Sequence, residues 1–281
     1  MMTPFSLDIR GRLLTFDRTA VMAIVNVTPD SFYARSRTSG AEAVEAAVSR
    51  ALSEGADMID IGGYSSRPGA DDVSPDEECR RLELGIAAVR RVAPDIPLSV
   101  DTFRADVARR CICDFGADII NDISGGDLDE NMFETVAELN VPYILMHMRG
   151  TPATMQSLTD YPRGVTAGVI GELAPKIRRL SLLGVNDVIV DPGFGFSKTV
   201  SQNYRLLRDL EAFSMLGRPV LVGLSRKSML TKALGISADE ALEATTAANT
   251  LAIERGAAIL RVHDVAAARQ AVDVSTFLHT A

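Results

Sequence analysis

Carboxylate and amide side chains end several short apolar runs of this chain, at positions where a folded protein would bury them. Asp101, Asn121 and Asp191 each follow apolar residues directly. A buried carboxylate without hydrogen-bond donors is costly, so these residues predict a ligand with paired N–H groups, such as the amino-amidine edge of a heterocycle. The amide of Asn121 can serve a mixed donor and acceptor edge. Asp101 has a second interpretation, as the cap of a helix that begins near Thr102 and Arg104.

Positive charge gathers after the last two apolar runs, in SRKS at 225–228 and RVHD at 261–264. Arg261 offers a planar fork of donors and His263 can donate from a ring nitrogen, so together they suit a diphosphate. A simpler alternative is an ion pair between Arg261 and Asp264 at the protein surface. Both interpretations are compatible with the spacing.

Other motifs in the sequence do not support a nucleotide-binding loop or a histidine-built metal site. The segment DPGFGFSKT at 191–199 ends in Lys-Thr, but it lacks the glycine that precedes the lysine of a nucleotide-binding loop. The histidines do not occur at HExxH spacing. No histidine stands at zinc-finger spacing from the cysteines, so we expect reduced structural thiols at Cys79, Cys111 and Cys113.

The elements that must position these residues alternate along the chain. Helical patterns separate eight apolar runs, which are VMAIVNVTPD at 21–30, ADMIDIGG at 56–63, PLSVDT at 97–102, ADIINDISGG at 117–126, VPYILMHM at 141–148, DVIVDPGFG at 187–195, PVLVGLSRK at 219–227 and AAILRVHD at 257–264. An open doubly wound sheet also fits simple alternation, but eight units favour a closed (β/α)8 TIM barrel of the α/β class. The carboxyl ends of all eight strands would then meet on one face.

Length and composition define the class of protein. With 281 residues the chain is slightly longer than a typical barrel of about 250, which predicts one domain over 1–281. FSLDIRGRLLTF at 5–16 predicts an N-terminal β-hairpin, within 1–20, that closes the barrel floor. The net charge of −8 disfavours nucleic acid as a partner. No apolar stretch reaches the ~18 residues that a membrane span needs, and we expect a cytoplasmic protein.

Read together, the strand ends resemble the dihydropteroate synthases, folate-pathway enzymes that join a pterin to 4-aminobenzoate. The resemblance covers nearly the whole chain in order and rests on NVTPDSF at 26–32, GGYSSRPGA at 62–70, SVDT at 99–102, NDISGG at 121–126, MHMRGTPATMQ at 146–156, DPGFGFSKT at 191–199, GLSRKSML at 223–230 and RVHDV at 261–265.

The resemblance implies a (β/α)8 barrel in which 6-hydroxymethyl-7,8-dihydropterin diphosphate reacts with 4-aminobenzoate to release dihydropteroate and diphosphate. By position, the pterin would be held by Asp101, Asn121, Asp191 and Lys227, with Met146 packing nearby. The diphosphate would be received by Asn26, Arg261 and His263, of which Asn26 would also bind Mg²⁺. The aminobenzoate site would comprise Phe32, Ser66, Arg67, Pro68, Phe196 and Ser228. The family also implies a homodimer.

Physical chemistry makes this division of roles reasonable. Cleavage of the C–O bond leaves positive character on the pterin methylene and negative charge on the departing diphosphate, so cationic groups and Mg²⁺ should stabilise the leaving group. The amine can then attack without a protein nucleophile. Closure of the polar connections 30–40 and 64–74 would exclude water.

Two positions depart from the family pattern. Family members commonly read NVTPDSFSDGG, whereas here Phe32 is followed by YARS at 33–36, so the acidic residue of the first loop is absent. Asp30 is the nearest carboxylate that remains. The acidic residue of the usual GGES is Tyr64 here. We therefore expect hydrogen bonding below the second loop to be altered.

Two other functions compete with the synthase. Pterin-dependent methyltransferases share the Asp-Asn-Asp pocket, but they have no reason to place Arg67, Lys227, Arg261 and His263 around a leaving diphosphate. A pterin-binding homologue without catalysis is the other alternative, because fold and pocket do not by themselves establish turnover. The absent acid of the first loop is the feature that favours it.

Overall fold

The chain forms the predicted barrel of parallel strands in a computed structural model that describes residues 3–27, 37–64 and 73–281. The barrel strands are β3 (Ala20–Asn26), β4 (Met58–Gly62), β5 (Leu98–Asp101), β6 (Ile119–Asp122), β7 (Tyr143–Met146), β8 (Val188–Asp191), β9 (Leu221–Val222) and β10 (Ile259–Val262). They run in the order β8-β7-β6-β5-β4-β3-β10-β9. Val190 N donates to Pro219 O at 2.9 Å and a parallel bridge joins Val190 to Val220, which closes β8 onto β9. This closure rules out the open doubly wound sheet.

An antiparallel hairpin precedes the barrel, as the sequence predicts. Strands β1 (Phe5–Ile9) and β2 (Arg12–Phe16) pair around Arg10 and Gly11, both of which have positive φ. Two residues with φ > 0 form the tight turn whose twist matches that of the strands. Leu7 and Ile9 pack against side chains near the start of the barrel strands, among them Met22, Ile119, Ile144, Ile189 and Ile259. The hairpin therefore closes the amino-terminal end of the barrel.

Helices follow the strands on the outside of the barrel. Their bounds are α1 (Arg37–Ser53), α2 (Pro75–Val92), α3 (Ala105–Cys113), α4 (Met132–Leu139), α5 (Val165–Leu182), α6 (Val200–Arg208), α7 (Ser228–Leu234), α8 (Leu242–Glu254) and α9 (Val265–Thr280). Short 3₁₀ turns occupy Met155–Ser157 and Leu210–Leu216. Apolar side chains between the strands and this helical layer form the main core.

Two helical segments differ from the sequence-based expectation. The pattern at 203–215 predicts one helix, but the chain forms α6, which begins after the Thr199–Gln202 capping box, and then a separate 3₁₀ turn. Helix α7 is not predicted, because its seven residues are too few to show a hydrophobic period. It matters for the site, since Lys227 is its N-cap residue.

Candidate active site

The period of two along a β-strand explains why polar residues meet at one end of the barrel. Side chains two positions apart lie on the same face of a strand. Ile119, Ile189 and Ile259 fill the floor of the barrel. The residues two positions further along are Asn121, Asp191 and Arg261. They therefore face the same interior, one layer closer to the carboxyl ends of the strands.

Arg261 lies at the centre of this polar layer. Its Nε donates to Asp60 Oδ2 at 2.6 Å and its Nη2 to Asp101 Oδ2 at 2.9 Å. Asn121 Nδ2 also donates to Asp60 Oδ2, at 3.2 Å. Arg226, not Arg261, pairs with Asp264. The simpler alternative, an ion pair between Arg261 and Asp264, is therefore wrong.

Asp60 is a site residue that the sequence analysis missed. It is fully buried in β4 and joins Arg261 to Asn121. Among the described residues its second carboxylate oxygen has no hydrogen-bond partner. The signal was available, because Asp60 stands two residues after the floor residue Met58 and so shares its inward face.

Asp101 does not cap the following helix. Helix α3 has Arg104 at its N-cap without a side-chain cap hydrogen bond, while Asp101 pairs with Arg261. Burial raises the pKa of Asp101 to about 7; Arg261 opposes this rise and Asp60 adds to it. For Arg261, burial acts to lower the pKa, but the carboxylates of Asp60 and Asp101 outweigh it and raise the pKa.

Asp191 and Lys227 form the second half of the site. Asp191 is buried at the end of β8, and its Oδ1 accepts a hydrogen bond from Gly193 N at 2.7 Å. Lys227 Nζ donates to Phe194 O and lies 4.8 Å from the ring centre of Phe196. Burial raises the pKa of Asp191, against the attraction of Lys227. Burial also lowers the pKa of Lys227 to about 8, again against their mutual attraction.

An apolar cluster lies beside these polar groups. Met146 packs with Ile123, Met148 and Met155, and the partly buried rings of Phe103 and Phe196 lie against them. A flat heterocycle requires such apolar surface on its faces while its edges are hydrogen-bonded. Met146 and Phe196, which the resemblance assigns to different substrates, thus belong to one cluster.

The residues assigned to the diphosphate lie at the ends of β3 and β10. A Cβ atom added to Gly62 would meet Asp101 Cβ at 3.6 Å and Asn26 Oδ1 at 3.7 Å, so these two side chains flank Gly62. His263 is exposed, and its Nδ1 lies 3.1 Å from Ser225 Oγ. The structure brings Asn26 and Arg261 into the same group of residues, because both neighbour Asp101.

The residues assigned to aminobenzoate fall into two groups. Phe196 and Ser228 are described, and Ser228 is the exposed first residue of α7. The others, which are Phe32, Ser66, Arg67 and Pro68, lie outside the described residues.

Tyr64, which replaces the usual acid, is described. Its ring packs edge-on against Phe103 at 5.3 Å, and the Arg104 guanidinium lies 5.6 Å from its ring centre. Arg104 is also paired with the buried carboxylate of Glu78. An aromatic contact with a cation thus stands at the position where the resemblance implies a carboxylate.

The site offers an oxygen ligand of the kind that suits a magnesium ion bound mainly by water and substrate phosphates. Within the described ranges, no group of three or more His, Cys, Asp or Glu side chains could hold a metal ion. Mg²⁺ is commonly bound by one or two protein oxygens together with water and substrate phosphates. The amide oxygen of Asn26 is a ligand of that kind, and it lies next to Asp101.

The described part of the chain contains no helix that is long and apolar enough to cross a membrane.

Comparison with known proteins places this geometry in a family. A model described as "Pterin binding enzyme" matches residues 22–263. The chain is 43% identical to the dihydropteroate synthase of Synechocystis sp. over 273 residues, which covers 93% of this chain and 90% of that protein. It is 41% identical to the inactive dihydropteroate synthase 2 of Mycobacterium leprae, over 94% and 92% of the two chains.

A solved structure agrees in fold. The dihydropteroate synthase of Xanthomonas albilineans with 4-aminobenzoic acid superposes with a TM-score of 0.88 at 40% identity, and the match covers 99% of this chain and 100% of that one. The barrel is thus reproduced in a relative of known fold. With the family match over most of its length, the chain belongs to the pterin-binding enzyme family.

Proposed function

We propose that this chain is a dihydropteroate synthase, which condenses 6-hydroxymethyl-7,8-dihydropterin diphosphate with 4-aminobenzoate to give 7,8-dihydropteroate and diphosphate. The observation that carries the proposal is the single polar layer in which Asp60, Asp101 and Asn121 surround Arg261. The relatives of about 40% identity with this name support the same reaction.

The pterin binds edge-on to the carboxylates and the amide. Asp191 uses one oxygen for Gly193 N, and among the described residues its other oxygen has no hydrogen-bond partner. The amide oxygen of Asn121 is likewise without a partner within the described part of the chain. These acceptors match the N–H groups of an aminopyrimidine ring. Met146 and Phe196 supply apolar surface for the ring faces.

The diphosphate leaves toward the cationic side of the site. Arg261 and His263 stand two residues apart at the end of β10, and Lys227 lies on the neighbouring connection. Their donors stabilise the negative charge that develops as the C–O bond breaks. Bound Mg²⁺, held by Asn26 together with the diphosphate oxygens, would neutralise part of that charge. The aminobenzoate nitrogen then forms the new C–N bond to the methylene carbon and releases its proton.

The amine substrate occupies the mouth of the barrel. Phe196 borders the pterin cluster, and Ser228 lies at the exposed start of α7. Phe32, Ser66, Arg67 and Pro68 complete this subsite in our proposal. Their loops would exclude water from the electrophilic methylene.

We also propose a homodimer. Val274, Phe277 and Leu278 of α9 are exposed, and their spacing places them on one face of the helix. The adjacent helix α8 adds the exposed Leu251. Large contiguous apolar surfaces on soluble proteins commonly mark interfaces.

The cytoplasm is the proposed location. Cys79, Cys111 and Cys113 are all unpaired, and the last is exposed. Free thiols are usual in a reducing compartment.

The alternative of a pterin-binding homologue without catalysis is favoured by the inactive relative from Mycobacterium leprae, which is about as similar as the active ones. One experiment decides between them. The protein is incubated with the pterin diphosphate, 4-aminobenzoate and Mg²⁺, and both products are quantified. Formation of dihydropteroate and diphosphate in equal amounts supports the synthase, and pterin binding without either product supports the inactive homologue.

A further inference from the structure

Lys198, in the segment that resembles a nucleotide-binding loop, has a different environment from a phosphate-binding lysine. Its side chain is only 3% exposed. Its Nζ donates to Gly193 O at 2.9 Å, to Phe196 O at 2.9 Å and to His147 Nδ1 at 3.0 Å. An ammonium group has three N–H donors, so all of them are used within the protein.

The partner histidine is itself held in one state. Because His147 Nδ1 accepts from Lys198, its ring proton lies on Nε2, which donates to Glu172 Oε2 at 3.0 Å. Burial lowers the pKa of His147 to about 4, which keeps the imidazole neutral and able to accept. Burial acts to raise the pKa of Glu172, but hydrogen bonds from His147 and Arg149 lower it to about 2. The hydrogen bonds that run from Lys198 through His147 therefore end on a carboxylate that is ionised at neutral pH.

The loop that Lys198 holds has an unusual backbone. Gly193, Gly195 and Ser197 have φ values of 70°, 83° and 53°. Left-handed backbone at a serine is uncommon and persists only where the surroundings stabilise it. Ser197 Oγ accepts from Arg149 N at 2.9 Å and donates to Arg149 O at 3.0 Å. The loop after β7 thus fixes the loop after β8.

The same loop presents groups to the site. Its carbonyl at Phe194 accepts from Lys227, and its ring at Phe196 lies over the same ammonium. Lys198 bonds the carbonyls of residues 193 and 196, which lie on either side of Phe194. We propose that Lys198, through His147, is a positioning residue that holds this loop in the shape required for pterin binding. The inference rests on the proposed function.

The charged groups around Lys198 support this role. The carboxylate of Asp191 attracts its ammonium, and that of Glu172 does so to a smaller extent, while Lys227 and Arg149 oppose it. Burial lowers the pKa of Lys198 to about 7 despite the attraction of Asp191. The carboxylate assigned to the pterin therefore also helps to keep the three donors of Lys198 in place.

The test compares Lys198→Met with Thr199→Ala in the full-length protein. Met keeps the length of the side chain but removes all three donors. Ala at the next position removes the side-chain cap of α6 without touching the loop carbonyls. We measure amide hydrogen exchange of residues 193–197, the dissociation constant of a pterin by fluorescence, and kcat and KM for the pterin diphosphate.

For Lys198→Met we expect roughly tenfold faster exchange in the loop and about tenfold weaker pterin binding. KM for the pterin diphosphate should rise more than kcat falls. Thr199→Ala should lower the melting temperature and leave both loop exchange and pterin affinity unchanged. Wild-type pterin affinity in Lys198→Met would overturn the proposal, as would an equal loss of affinity in Thr199→Ala.

A second variant covers the case in which Lys198→Met does not fold. Glu172 is partly exposed on α5, and Glu172→Ala releases the side chains of both His147 and Arg149 while leaving Lys198 in place. We expect smaller increases in loop exchange and in the pterin dissociation constant, and no change in either would contradict the proposal. Failure of the proposed function has a different signature, namely wild-type protein that binds the pterin without turnover.

Discussion

At the scale of single residues, the site depends on one arginine shared by two carboxylates. The sequence predicts that Arg261 contacts a diphosphate, and that stays a prediction; the structure shows Arg261 paired with Asp60 and Asp101. The sequence could place Asp101 and Arg261 at strand ends, because each ends an apolar run. It could not show that they pair across the barrel, since 160 residues separate them.

The pairing predicts a cost in stability for Arg261→Ala. Removal of the guanidinium leaves the buried carboxylate of Asp60 without its cation, and we expect the free energy of unfolding to fall by about 3 kcal/mol. Urea denaturation measures this change. Arg226→Ala, which breaks the more exposed pair with Asp264, is the matched control and should cost about 1 kcal/mol. Equal losses in the two variants would contradict the shared role of Arg261.

Two shifted pKa values predict the pH dependence of catalysis. In our proposal Asp101 binds the pterin as a carboxylate; its pKa is raised to about 7, so kcat/KM should fall as the pH drops below that value. In the same proposal Lys227 acts as an ammonium; its pKa is lowered to about 8, so kcat/KM should also fall above that value. Because the groups interact, the two limbs report apparent values for the cluster.

A pH profile of kcat/KM between 5.5 and about 9.5 tests this expectation, since it reports the free enzyme. Lys227→Arg should move the alkaline limb to higher pH, because a guanidinium stays charged throughout this range. A flat profile across neutral pH would contradict the assignment of both groups.

At the scale of elements, strands and their connections differ in how far a sequence predicts them. The barrel strands were predictable because each is a compact apolar run, and their period of two also fixes which residues face inward. Asp60 shows that this rule identifies more of the site than the run endings alone. The loop after β8 was not predictable, because its shape depends on contacts such as the one between Lys198 and His147, which stand 51 residues apart in the sequence.

The loop after β8 predicts a sharp difference between two glycines. A Cβ atom at Gly193 would lie 1.9 Å from His147 O, whereas one at Gly184 would meet nothing within 4 Å, although both residues have positive φ. Gly193→Ala should therefore reduce the free energy of unfolding by roughly 2 kcal/mol more than Gly184→Ala. It should also weaken pterin binding. Calorimetry and fluorescence titration measure the two effects, and similar behaviour of both variants would argue against a tightly packed loop.

At the scale of the whole molecule, the barrel was predictable from the count of repeating units. The exposed apolar face of α9, which we propose as a dimer interface, was not, because a helix that is apolar toward both the barrel and the outside shows no distinct periodicity. The structure identifies Val274, Phe277 and Leu278 as its candidates. The extent of the domain over 1–281 stays a prediction.

Phe277→Glu tests the proposed homodimer. Its side chain is 73% exposed, so a charge is tolerated in the monomer but opposes burial in an interface. We expect sedimentation to show a dimer for the wild type and a monomer for the variant. Leu182→Glu is the control, because Leu182 is equally exposed on α5, which follows a strand that is not a neighbour of β10. A wild-type monomer would refute the dimer.

The hairpin at the amino-terminal end of the barrel has a consequence for substrate entry and product release. Leu7 and Ile9 cover the amino-terminal end of the barrel, so in our proposal both substrates enter and leave at the opposite end. A ligand that binds deeper in the barrel must therefore bind before the ligand that covers it. On the proposed function the pterin lies below the amine, so we expect it to bind first, and we expect dihydropteroate to leave before the next pterin binds.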